Sequence, residues 1–114
     1  MSVKLTTRQV GDVTVVDAVG RITLGEGAST FRDTIRDLAA QGKTKLLLNL
    51  AEISYIDSSG IGEMVSGFTT VTNQGGAVKL LNLTKRVRDL LQITKLYTVF
   101  EVFDDEAAAV RSFS

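Results

Sequence analysis

The apolar residues of this chain change period several times, and each change marks an element. Val3 to Gln9 alternates loosely, as a half-exposed strand does. Gly11-Asp12 supplies a hairpin turn, and the β-branched run Val13 to Val19 predicts a second strand. Gly20-Arg21-Ile22-Thr23-Leu24 leads out of it, and Gly25-Glu26-Gly27 breaks the pattern. Ala28, Phe31, Ile35 and Leu38 then recur at helical spacing, with Arg32, Asp33, Arg36 and Asp37 opposite and Gly42 as the stop. Lys45 to Leu50 is apolar on successive residues, the mark of a strand buried on both faces. After a short loop, Ile61, Met64, Val65, Phe68 and Val71 form one face of a helix running from Ser58 to about Gln74, ended by Gly75-Gly76. Ala77 to Leu83 predicts a fourth strand. Thr84 is placed to cap a helix to about Ile93 that buries Val87, Leu90 and Leu91. Val99 to Phe103 predicts a fifth strand, and Asp104-Asp105-Glu106 puts acid at the start of a last short helix.

The order is ββαβαβαβα. It predicts an α/β fold with a mostly parallel five-stranded sheet, an antiparallel N-terminal edge strand and about four helices. With 114 residues and 44% hydrophobic content, the expectation is one domain over 1–114 with one core.

Charge and residue types then remove function classes. Thirteen basic and thirteen acidic residues balance, which argues against a general nucleic-acid binder. The run Lys85-Arg86-Val87-Arg88 reads as a solvated helix face, since Asp89 follows at once. There is no cysteine, hence no disulfide framework, thiolate chemistry or cysteine metal site. There is no histidine, which removes the usual general base, zinc ligand and serine-protease triad. Met1 to Val10 has no apolar core of a secretory signal, and no run is long enough to span a bilayer. The expectation is a soluble cytoplasmic protein without membrane insertion, metal or cofactor.

Enzyme motifs fare poorly. Ser58 and Ser59 lack the first glycine of G-x-S-x-G, where Ile56 or Asp57 stands. Gly60-Ile61-Gly62 starts like a dinucleotide fingerprint, but Val65 holds the third glycine position. Gly42-Lys43-Thr44 has Asp37 where a P-loop needs its first glycine, and it precedes a strand. What remains is Asp57-Ser58-Ser59-Gly60 between the buried strand and its helix. Small polar residues there serve first as helix caps. A hydroxyl there is also a workable phosphate acceptor, because a helix start tolerates the added charge. Residue types and spacing favour the capping role.

Asn49-Leu50 and Ile53-Ser54-Tyr55-Ile56-Asp57-Ser58-Ser59-Gly60-Ile61-Gly62 resemble the signature of the STAS domain, found in anti-sigma factor antagonists and in the tails of sulfate transporters. The likeness spans the chain: Gly20, Gly75-Gly76 and Leu83 to Leu91 fall where family members have comparable residues. The resemblance implies that Ser58 is phosphorylated by a partner that is both a serine kinase and an anti-sigma factor. The unphosphorylated form binds this partner and frees the sigma factor, and a PP2C-type phosphatase resets the switch. Asp57 would position the Ser58 hydroxyl. Ser59 lies beside it in the same loop, Gly60 and Gly62 would allow close backbone approach, and Ile61 would touch the kinase. Arg21, Ile22, Thr23 and Leu24 would share the interface. Thr23 stands where many antagonists carry an aspartate. Two other readings remain open: an interaction module docked permanently in a larger complex, and a small nucleotide-binding protein.

Overall fold

The computed structural model describes residues 3–114. Its strands are β1 (Val3–Val10), β2 (Val13–Ile22), β3 (Lys45–Ile56), β4 (Ala77–Leu81) and β5 (Val102–Phe103). The helices are α1 (Glu26–Ala40), α2 (Ser58–Asn73), α3 (Lys85–Ile93) and α4 (Glu106–Arg111). The sheet runs β1-β2-β3-β4-β5, antiparallel between β1 and β2 and parallel from there on. This is the α/β architecture that the sequence pattern predicts.

The Leu46 to Leu50 run shows why β3 is central. Leu46, Leu48 and Leu50 belong to a core with Phe31 and Ile35 of α1, Met64 and Val71 of α2, and Val87 and Leu91 of α3. Leu47 points the other way and joins Val13, Val15 and Leu81 beneath Ala109 of α4. So α1, α2 and α3 cover one face, and the short α4 covers part of the other. Burying one leucine side chain contributes about 2 kcal/mol. Two polar clasps hold α4 down. Arg8 reaches Glu106 at 2.5 Å and Asp17 at 2.7 Å. Lys79 donates to the carbonyl and hydroxyl of Ser112, each at 2.9 Å, with the Phe113 ring 4.7 Å away.

Several boundaries differ from the sequence expectation. β3 runs on to Ile56, through the stretch expected to be a loop. Its pairing with β2 jumps from Asn49 to Glu52 and again from Ile53 to Tyr55, so β3 carries two extra residues. These bulges give buried positions at Leu50, Ile53 and Ile56, a spacing of three that hides the strand from a period-two reading. Asn49 holds the first bulge: its side-chain oxygen accepts from Ala51 N–H at 3.3 Å, and its amide donates to Asp17 at 2.8 Å. β4 stops at Leu81 because Asn82 turns left-handed, with φ 57°. β5 is only two residues long, and Leu96–Thr98 forms a 3-10 turn ahead of it. Leu90 is half-buried, whereas Val87 and Leu91 enter the core as expected.

Candidate functional site

The second bulge delivers the chain from β3 into α2, and the first residue of that helix is Ser58. Its cap is Asp57, in extended conformation with φ −108°. One carboxylate oxygen, Oδ1, accepts from Gly60 N–H at 3.0 Å and closes the first turn. The other, Oδ2, accepts from Leu24 N–H, also at 3.0 Å, on the loop between β2 and α1. Asp57 N–H donates to the Ile22 carbonyl at 3.3 Å. The two loops are thus laced together at the C-terminal ends of neighbouring parallel strands, where α/β sheets characteristically present their sites.

Burial raises the Asp57 carboxyl, but N–H donation from Leu24, Gly60 and Ser59 outweighs it and holds the group below the usual carboxylate range. Asp57 is therefore ionised at neutral pH. This changes its expected role. Both oxygens are engaged by backbone donors, so the carboxylate is a cap and a brace; the Ser58 hydroxyl is not its partner.

Gly60 has a strict steric reason. A Cβ there would collide with the Ile22 carbonyl oxygen and lie 2.7 Å from Cγ1 of Ile56. The missing side chain lets the start of α2 rest on the end of β2. Gly62 differs: a Cβ there would meet nothing within 4 Å, so close packing inside the protein does not explain it.

The structure brings the ten residues singled out from the sequence into two adjoining segments, but it does not expose them equally. Arg21, Leu24, Ser58 and Gly62 are exposed, and Thr23, Asp57 and Ser59 are half-buried. Ile22, Gly60 and Ile61 are buried. Ile61, expected to touch a kinase, is 5% exposed and packs in the core. Helical geometry explains this, since Ile61 opens the apolar face continued by Met64 and Val71. Leu24 is the opposite case, an apolar side chain left 79% exposed.

Sequence reasoning missed a neighbouring feature. A groove of about 410 Å³ runs between the end of β3 and α3, lined by Tyr55, Ile56, Lys85, Arg86, Leu90 and Ile93. The Arg86 guanidinium lies 4.8 Å from the Tyr55 ring centre, and Lys85 pairs with Asp89 at 2.8 Å. The solvated basic face of α3 thus forms one wall of a cleft two residues from Ser58. No signal in the linear sequence pairs Tyr55 with Arg86.

A mostly parallel five-stranded sheet with an exposed serine opening α2 is the frame of this site. The STAS domain model matches residues 4–109, and the chain belongs to that family. It is 33% identical over 102 residues to the anti-sigma-B factor antagonist of Bacillus subtilis (strain 168), covering 90% of this chain and 92% of that protein. It superposes on an anti-sigma factor antagonist from Mycobacterium paratuberculosis with a TM-score of 0.88 at 16% identity, covering 98% of this chain and 94% of the other. It also matches the phosphorylated form of the Bacillus cell fate determinant SpoIIAA with a TM-score of 0.76 at 21% identity, covering 97% and 100%. These two structures share the fold. Among the described residues no helix is long and apolar enough to cross a membrane.

Proposed function

We propose that this chain is an anti-sigma factor antagonist that works by partner switching in the cytoplasm. It acts by binding and is a substrate, not a catalyst. Unphosphorylated, it docks on an anti-sigma factor that is also a serine kinase, and the sigma factor is released. The kinase transfers the γ-phosphoryl group of ATP to Ser58. The Oγ–P bond forms, the bond from that phosphorus to ADP breaks, and the hydroxyl proton passes to a base on the kinase. A PP2C-type phosphatase reverses the state by hydrolysis, releasing inorganic phosphate.

The observation that carries this reading is the placement of Ser58. It is exposed on the first turn of α2, where the positive end of the helix dipole favours an anion, and it lies beside Arg21 to Leu24. Phosphate therefore leaves the fold intact and changes the docking surface by up to two negative charges. The relatives named anti-sigma factor antagonists support the same reading.

The test is a titration of Ser58→Ala and Ser58→Asp against the anti-sigma factor kinase of the same organism. Ser58→Ala should bind as the unmodified protein does. Ser58→Asp should bind ~30-fold more weakly, the size of a like charge placed in an interface, about 2 kcal/mol. Equal affinities, or a phosphate mapped elsewhere after incubation with kinase and ATP, would remove the proposal.

A further inference from the structure

We propose that Asp57 is a positioning residue that passes the charge state of Ser58 to the loop around Leu24. The inference rests on reading Ser58 as the phosphate acceptor, and it adds a second consequence of modification. Asp57 divides its carboxylate between two elements: Oδ1 to Gly60 N–H of its own helix, and Oδ2 to Leu24 N–H, 33 residues earlier. The other bonds of this loop lead elsewhere. Thr23 and Gly25 carbonyls accept from Ala28 and Ser29, which ties the loop to α1. The cap position of α1 is Gly25, which has no side-chain bond to give. Asp57 N–H stops at Ile22, on the strand. The Oδ2 contact is the side-chain brace between the Leu24 loop and α2.

A phosphoryl group on Ser58 stands one residue from this carboxylate. Two anions then compete for the N–H groups of one helix turn, and the phosphoryl brings up to two charges and three acceptor oxygens. Gly60 N–H keeps a partner whichever anion prevails. Leu24 N–H, on an exposed loop, keeps one only while Asp57 stays in place. Modification therefore adds charge at Ser58 and also unfastens the most exposed apolar side chain beside it. A docked partner loses an apolar contact together with electrostatic compatibility.

The experiment needs no partner. Amide hydrogen exchange is followed by NMR in the unmodified protein, in protein with phosphoserine installed at position 58, and in Asp57→Asn. The asparagine keeps one oxygen to cap Gly60, but its NH2 group cannot accept from Leu24. In both altered proteins the Leu24 amide should exchange about tenfold faster or more, with the Gly60 amide still protected. Phosphoserine combined with Asp57→Asn should add nothing further at Leu24. A Leu24 amide equally protected with and without phosphoserine overturns the relay, even if phosphoserine abolishes partner binding and the switch at Ser58 stands. Faster exchange at Leu24 supports the relay even where binding proves indifferent to phosphate, in which case the switch reading fails instead.

Discussion

The starts of α1 and α2 lie side by side, each with a glycine packed on the end of β2, but they are capped in opposite ways. At α2 the cap is Asp57, both of whose oxygens are engaged, and Gly60 presses the first turn against β2. At α1 the cap position is Gly25, at φ 99° and ψ −131°, without any side-chain bond. One helix start is a braced platform. The other leaves Leu24 projecting on a loop that borrows its brace from the first. The contrast teaches that the serine follows a cap with two side-chain bonds, whereas the neighbouring cap has none of its own. Under the proposed switch, the charged group is added on the side with the two side-chain bonds.

Substitutions can test this contrast. The largest effect should come from Gly60→Ala. The new methyl meets backbone, which cannot rotate away, so denaturant unfolding should show a loss of about 3 kcal/mol. Gly62→Ala, two residues on in the same helix and in open space, should instead gain up to about 1 kcal/mol through helix propensity. Equal effects at the two glycines would remove the steric account of the α2 platform.

Asp57→Ala comes next. It deletes the cap and the brace together, and should cost about 2 kcal/mol. Gly25→Ser sharpens the other side. Serine is a favoured cap residue, yet this backbone conformation is open chiefly to glycine, so the substitution should destabilise by about 1 kcal/mol. A stabilising result would mean that α1 lacks only a better cap.

The smallest effect is a pH dependence. The Asp57 carboxyl titrates lower in the folded chain than in the unfolded one. Its contribution is therefore complete above the ordinary carboxylate value of about 3.9. It is lost as pH falls through the lowered folded value. The stability gap between the parent protein and Asp57→Asn should be constant near neutrality and close in acid. A gap that widens in acid would contradict the assigned hydrogen bonds.

Much of this was legible in one dimension. The successive leucines of β3, the helical spacing from Ile61 to Val71 and the cap at Thr84 all appear in the structure where the pattern puts them. The extension of β3 through Ser54 and Tyr55 was not legible, because two bulges break the alternation that a strand normally shows. The fifth strand falls inside the expected Val99 to Phe103, but its shortness was not legible, because only Val102 and Phe103 pair with β4. Ile61 reads as surface in the serine loop and as core on the α2 face, and the helix face prevails.

What the amino-acid order determined by itself is local: which segments are strands or helices, and that an aspartate, two serines and a glycine open the central helix. Those features depend on periodicity and on hydrogen bonds a few residues long. The tertiary structure decided the rest. It placed Leu24 on Asp57, laid Arg86 on Tyr55, buried Ile61 and left Ser58 outside. Each of these depends on the register of parallel strands and the packing of helices across them. Residues about thirty positions apart meet only once the sheet has formed, and no local pattern encodes which will touch.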